Sequence, residues 1–355
     1  MSALPSDRAA ARVADQAANR AAETAGQAPV ISARGLKIRF RLAGGEDLLA
    51  VDGVDFEIRA AETFGVIGES GSGKSTIGRA LVGLLDPSEG EILTLGRDLS
   101  KLPRQERRLA RQDAQIIFQD PNAALNPRMT ILDSLMEPLR IRGGKSEREM
   151  REAAYQGLDR AGLRAELALR RPHELSGGQK QRVNIARVLP LNPRLIVCDE
   201  VVAALDVSIR GEILNLFAEL QRDFGIAYAF IAHDLSVVAQ VSDRIAVTYL
   251  GRFMEVGPTE GVMERPLHPY TAALLSSEPQ ALPSHLRDRK RIHLTGEIPS
   301  PVNPPSGCRF RTRCPFATAI CAERAPEWRE IRPGHHAACH HAGPDGATQG
   351  AASAS

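Results

Sequence analysis

The chain has 355 residues, with 45 basic against 43 acidic side chains and a formal net charge of +2. That length allows one large domain with a full core plus something smaller, and the near balance of charge advertises no basic surface, so no nucleic-acid partner is expected. No apolar run approaches the roughly 18 to 20 residues that span a bilayer; the longest candidate, residues 226–232, stops at His233, so any work at a membrane is done from outside the lipid.

Residues 1–28 are Ala-rich with scattered Arg, Asp and Gln and no sustained apolar face, which reads as a disordered tail. A targeting peptide is the rival reading, but there is no apolar core segment for secretion, and Asp7, Asp15 and Glu23 sit poorly in an organelle transit peptide. Two strand-like runs come next, 30–42 and 48–58, joined by the turn Ala43-Gly44-Gly45-Glu46-Asp47; they predict an antiparallel edge. Phe40 near the end of the first is either an aromatic platform for a purine, worth roughly 1–3 kcal/mol by analogy with base stacking, or ordinary core.

The apolar run Phe64-Gly65-Val66-Ile67 then leads into Gly68-Glu69-Ser70-Gly71-Ser72-Gly73-Lys74-Ser75-Thr76, and a helical pattern covers residues 77–85. A strand, a glycine-rich loop and a helix in that order cradle a phosphate chain. Glycines let backbone N–H groups turn inward without Cβ clashes, and the helix N-terminus favours an anion. Lys74 is then expected on the β- and γ-phosphates and Ser75 on Mg²⁺.

Residues 91–95 read as a strand, 104–111 as a charged helix, and 115–119 as an apolar strand that delivers Gln119 to its C-terminal end, where open α/β sheets place ligand residues. After the loop 120–127, residues 131–142 and 146–161 predict two helices, a helical insertion in an α/β body. Leu175-Ser176-Gly177-Gly178-Gln179 opens a helical run at 180–189, a second helix N-terminus suited to an anion but without a lysine of its own. The apolar run 195–198 brings Asp199 and Glu200 to a strand end, where two adjacent carboxylates rarely serve packing. A further buried run at 226–232 exits into His233-Asp234.

This set, with Ala204-Leu205-Asp206 between the acid pair and His233, resembles the ATP-binding subunit of an ABC transporter over about residues 30–341. Residues 231–238, Leu267-His268-Pro269-Tyr270 and the cysteine-bearing tail from Pro299-Ser300-Pro301 are similar to the oligopeptide, dipeptide and nickel importer branch, and more to its F-type than its D-type subunit. The resemblance implies a P-loop NTPase fold of α/β class with an antiparallel β edge, a helical subdomain (about 120–185) inside an ATPase domain (29–278), a C-terminal Cys-containing module (279–341) and a disordered tail (342–355). It implies ATP on Phe40 and residues 68–76, Mg²⁺ on Ser75, Gln119 and Asp199, Glu200 as general base, and His233 and Gln119 around the γ-phosphate. Ser176, Gly177, Gly178, Gln179 and Asp206 are implied to serve the ATP of a homologous second ATPase subunit. The remaining partners implied are two membrane permease subunits and an external solute-binding protein, with the chain peripheral on the cytoplasmic face of a bacterial inner membrane.

The chain departs from the family's pattern at Val201, where Pro is frequent, at Ala203, where Ser is usual, and at Pro190, which should end a helix that normally continues. None of these is a phosphate or metal ligand, so hydrolysis is still expected.

Cys198 lies mid-strand and should be inert. Cys308, Cys314, Cys321 and Cys339, with five, six and seventeen residues between them, do not fit the tight pairs of structural zinc. A reducing cytosol disfavours disulfides. They stand open between a [4Fe–4S] cluster, which some members of the resembled branch carry, free thiols, and zinc with His335, His336, His340 or His341. The function expected is hydrolysis of ATP that energises import of a peptide-like solute. The alternative is a soluble ABC ATPase of DNA or ribosome metabolism, which usually has a long coiled-coil insertion or two cassettes; an exporter half would need fused membrane helices.

Overall fold

The computed structural model describes residues 28–277, 292 and 294–346. Most of the N-terminal tail, the prolines at 279 and 283, and the chain beyond 346 lie outside the described residues.

In chain order the strands are β1 (Ile31–Arg41), β2 (Asp47–Ile58), β3 (Thr63–Ile67), β4 (Glu89–Thr94), β5 (Arg97–Asp98), β6 (Ala114–Ile117), β7 (Leu195–Asp199), β8 (Ala227–Ile231), β9 (Arg244–Tyr249), β10 (Arg252–Pro258), β11 (Arg329–Arg332) and β12 (His335–Ala337). An antiparallel sheet of order β2-β1-β4-β5 forms the expected edge, and a larger sheet runs β11-β12-β10-β9-β3-β8-β7-β6. From β9 to β6 the larger sheet is parallel, with β3 between β8 and β9. Every residue of β3, β7 and β8 is buried, which is why these strands read as unbroken apolar runs: a parallel sheet is covered on both faces.

The helix after β3 is Lys74–Leu81, starting three residues earlier than the periodicity of 77–85 predicts. Gly73 supplies the start at φ 101, and a Cβ there would stand 2.2 Å from the Ala50 carbonyl oxygen of β2. Only glycine takes both the left-handed backbone and that approach.

The helical subdomain packs Ile131–Arg142, Glu147–Arg160 and Gly177–Val188 around Leu132, Leu135, Met136, Leu139, Met150, Leu158 and Val183. Thr130 and Ser146 cap the first two through their hydroxyls, the local signal that fixes where each begins. The third ends at Val188 and passes into a 3₁₀ turn holding Pro190, as the missing N–H of proline requires.

Two local expectations shift. β6 stops at Ile117, leaving Phe118 and Gln119 beyond the strand, because Pro121 and the Asp120 cap, which accepts from the Asn122 N–H at 2.8 Å, begin a new turn there. The C-terminal module is also built into the cassette: β12 pairs with β10 and β11 with β12, so the module extends the main sheet. Its Phe310 packs on Tyr249 and Tyr270, with ring centroids 5.4 and 5.2 Å away. Residues 342–346 continue the fold, with Ala342 buried and Gly343 bridged to Gly346.

Candidate nucleotide site

β3, β7 and β8 end at one edge of the sheet, and the residues singled out at their exits meet there. Gly68, at φ 153, lets the loop press on Thr248, whose carbonyl oxygen would stand 2.2 Å from an added Cβ. The Ser72 and Thr248 hydroxyls share a bond of 2.8 Å, and Thr248 Oγ1 donates to the Ile67 carbonyl at 2.9 Å. The loop is therefore pinned from below by β9.

Lys74 is buried, and its Nζ donates to the Gly68 and Glu69 carbonyls at 2.8 and 3.0 Å. Burial lowers its pKa while Glu200, Asp199 and Glu69 oppose the shift. An ammonium held only by loop carbonyls, with three carboxylates near, is poised to exchange those partners for phosphate oxygens.

Ser75 Oγ donates to Asp199 Oδ1 at 2.8 Å. Burial raises the Asp199 carboxyl, with the Ser75 bond and Arg79 pulling the other way. A desolvated carboxylate beside a hydroxyl gives two hard oxygen donors, which fit Mg²⁺. Thr76 is in the first helical turn, directly after Ser75.

Glu200 sits just past β7 at φ 53, an uncommon backbone for a non-glycine residue and of a kind that clusters at functional sites. Its N–H donates to the Ile231 carbonyl at 2.9 Å. That bond ties β7 to β8, and the Glu200 carboxylate lies 3.7 Å from His233 Nδ1. The same turn continues through buried Val201 to the Ala203 N–H, which donates to the Glu200 carbonyl at 3.1 Å. Gln119 is exposed two residues beyond Ile117, whose strand partner is Cys198. Cys198 itself is fully buried, and burial pushes its thiol well up, so it offers no nucleophile.

Phe40 is half-buried, opposite Leu48 on β2 and against the core of the small sheet. Two residues beyond Leu48, Ala50 abuts Gly73, so Phe40 lies on the sheet that flanks the loop, one strand removed.

Ser176, Gly177, Gly178 and Gln179 head the helix Gly177–Val188. The Gln179 N–H donates to Ser176 Oγ at 3.3 Å and the Ser176 N–H to Gln179 Oε1 at 3.0 Å, a reciprocal cap. Gly178 packs on Ile209 and the next residue but one, Lys180, reaches Asn122 Oδ1 at 2.9 Å. Asp206 is exposed ahead of the helix Val207–Phe224 and makes no capping bond with its side chain.

Sequence reasoning missed the residues that hold Glu69. Its carboxylate receives Arg313 Nη1 and Nη2 at 2.7 and 3.0 Å, and its N–H donates to Tyr270 Oη at 3.0 Å. Glu69 thus faces the C-terminal module, and its carbonyl is what it offers to Lys74. A separation of 244 residues leaves no local signal of this pairing, although Tyr270 lies within the motif Leu267-His268-Pro269-Tyr270.

Cys308, Cys321 and Cys339 are buried and Cys314 partly so, all near enough for their charges to couple. Among the described residues, however, no group of three or more His, Cys, Asp or Glu side chains is gathered as a metal ion requires, so the iron–sulfur expectation is unsupported by the side chains as they stand. Burial pushes the Cys308 and Cys314 thiols up to about 11. The histidines offered for zinc are mostly engaged elsewhere: His335 Nε2 bonds Glu255 Oε1 at 2.7 Å, His336 stacks on Trp328 at 5.8 Å, and His340 Nε2 bonds the Arg324 carbonyl at 2.9 Å. His341 Nε2 lies 3.5 Å from Cys321 Sγ.

Residues 51–203 match the ABC transporter family, and residues 254–321 match the oligopeptide/dipeptide transporter C-terminal region. The chain is 48% identical over 323 residues to the oligopeptide transport ATP-binding protein AppF of Bacillus subtilis, covering 89% of this chain and 98% of that one. It is 49% identical over 300 residues to the oligopeptide transport ATP-binding protein OppF of Salmonella typhimurium, covering 82% and 90%. Among solved structures, the dimeric post-hydrolysis state of the ATP-binding cassette MJ0796 bound to ADP and Pi is similar at a TM-score of 0.59 and 31% identity, covering 64% of this chain and 98% of that one.

Proposed function

Because the chain belongs to the ATP-binding cassettes of ABC transporters, in the oligopeptide-importer branch, we propose that its phosphate-loop site is one half of a paired ATPase driving a peptide-like solute through separate membrane subunits. The chain is an ATPase subunit of a peptide importer. The observation that carries the finer reading is the convergence of Lys74, Ser75, Asp199, Glu200 and His233 at one sheet edge, while the exposed Ser176 helix end makes its contacts with Asn122 and Ile209.

Phosphoryl transfer to water is mostly positioning and charge neutralisation. The loop's N–H groups and Lys74 would take the phosphates of ATP, and Phe40 its purine. Ser75 and Asp199, with Gln119, would hold Mg²⁺, which when bound neutralises phosphate charge. Glu200 would take the proton of the attacking water, and His233, 3.7 Å from it, would orient that water and the γ-phosphate. The far side of the γ-phosphate also calls for a donor. Ser176 to Gln179 and Asp206 would supply one to a second, homologous ATPase chain, and that chain would supply it here.

This reading calls for two permease subunits and an external binding protein. No described helix is long and apolar enough to cross a membrane; the peripheral place on the cytoplasmic face of the inner membrane follows from the peptide-importer reading. The full chain alone is expected to hydrolyse ATP poorly and to turn over when assembled with its permeases and the second ATPase chain. In that assembly Lys74→Ala should empty only the site on this chain's loop, and Ser176→Arg should damage only the site on the partner's loop. Site-resolved nucleotide binding decides it; both variants damaging the same site would refute the arrangement across the interface.

A structural [4Fe–4S] cluster on Cys308, Cys314, Cys321 and Cys339 is part of the same proposal. In its favour are the backbone N–H groups of Phe310, Phe316 and His341, which act on the sulfur two residues before each and favour its thiolate, although burial outweighs them and raises these thiols on balance. Full-length protein purified without oxygen should be brown, with about four iron and four sulfide per chain. Colourless, metal-free protein with four alkylatable thiols overturns the cluster, and stoichiometric zinc replaces it.

A further inference from the structure

We propose that Arg313 is a positioning residue for the phosphate loop, through which the C-terminal cysteine module sets how tightly the cassette holds nucleotide. This rests on the reading of residues 68–76 as the ATP site.

Arg313 immediately precedes Cys314, yet its guanidinium forms a two-pronged bond with Glu69, the second residue of the loop, at 2.7 and 3.0 Å. The Arg313 side chain is 9% exposed and that of Glu69 22%, so the pair is largely shielded from water. Its geometry is further restricted by Tyr249, whose hydroxyl lies 3.4 Å from Nη1 and whose ring centroid lies 5.8 Å from the guanidinium carbon. A planar fork of donors locked against two carboxylate oxygens fixes orientation as well as distance, which a lysine cannot do.

A second arginine of the same short segment, Arg309, bonds the Leu250 carbonyl and Asp52. Asp52 donates its N–H to the Gly251 carbonyl at 2.8 Å, and the Gly251 N–H donates to the Ser72 carbonyl at 3.0 Å. The stretch between Cys308 and Cys314 therefore grips the loop on two sides. A merely structural clamp would have no bearing on phosphate. Here the Glu69 carbonyl accepts from Lys74 Nζ at 3.0 Å, so the residue held by Arg313 also holds the side chain that must reach the phosphates. Releasing the Glu69 carboxylate frees the peptide that parks Lys74.

The test uses the full chain for binding of a fluorescent ATP analogue and the assembled transporter for turnover. Arg313→Gln is expected to weaken nucleotide binding and raise KM for ATP roughly tenfold, within the usual range for coupling between sites, with kcat at saturation changed less than about twofold. Glu69→Gln should weaken nucleotide binding to a similar extent, and the double variant should bind no worse than either, since the two act through one bond. The exchanged pair Glu69→Arg with Arg313→Glu should recover part of the affinity. Unchanged nucleotide affinity in Arg313→Gln, or fully additive losses in the double variant, overturns the proposal. If Arg313→Gln fails to fold, Arg313→Lys keeps the charge and loses the fork; affinity equal to wild type in that variant refutes the positioning role. Wild type and Lys74→Ala binding nucleotide equally well would instead refute the ATP site itself.

Discussion

Replacing Glu200 by glutamine is expected to leave ATP bound while slowing hydrolysis roughly 10²–10⁴-fold, the usual contribution of a positioned general base. The substitution keeps the side chain's shape and removes its ability to take a proton. Binding should survive because the phosphate contacts proposed above belong to other groups: Lys74, now on the Gly68 and Glu69 carbonyls, and Ser75, now on Asp199. The backbone that aims Glu200 should survive as well, since its left-handed turn is held by the N–H bond to Ile231, which the side chain does not make. Steady-state turnover of the assembled transporter, measured beside nucleotide affinity, is the check. Turnover equal to wild type would remove Glu200 from the mechanism, and a parallel loss of affinity would mean that its carboxylate shapes the loop.

The candidate nucleotide edge is legible in the sequence because each of its parts is local. A parallel strand buried on both faces is a short apolar run, and the residues at its C-terminal exit must emerge at the sheet edge; Asp199, Glu200 and His233 sit at or just past such exits, and Lys74 heads the helix that follows the glycine-rich loop from another. Gln119 reads as the end of a strand because residues 115–118 are apolar enough to continue it, whereas Pro121 and Asp120 end it early. The C-terminal module is much less legible. β11 and β12 are short and carry Arg329, Glu330, Arg332, His335 and His336, so they show no apolar alternation, yet β12 adds to β10 through backbone bonds that need no such pattern. Its bonds from Arg309 to Asp52 of β2 and from Arg313 to Glu69 of the loop span 257 and 244 residues. An arginine read alone is a solvated charge, and only the fold reveals the carboxylate it meets.

The anchor of that module predicts the largest loss of stability. Glu255 lies on β10 with no exposed surface, and its carboxylate accepts the Leu267 and His268 N–H groups at 2.8 Å each and His335 Nε2 at 2.7 Å. His335 belongs to β12, so one carboxylate joins the sheet extension to the segment that carries Tyr270. The site is shaped for the imidazole: a Cβ on Gly257 would stand 2.3 Å from His335 Cδ2. Next to it His268 is pulled down to about 3 by burial, so it stays neutral, and its Nδ1 accepts the Tyr270 N–H at 3.0 Å. Glu255→Leu removes the acceptor of three buried donors at once. Breaking such a buried pair costs about 3–5 kcal/mol, because the remaining partners stay desolvated and unpaired. For a domain this large that is a fall in Tm of roughly 6–20 °C, read by calorimetry on the full chain and expected to come with earlier proteolysis after residue 277. By contrast, Lys37→Ala, which removes an ion pair with Glu89 that is open to water, should leave Tm unchanged. Equal small shifts in both variants would show that Glu255 is a dispensable contact and that the module is held by its aromatic packing on Tyr249 and Tyr270 alone.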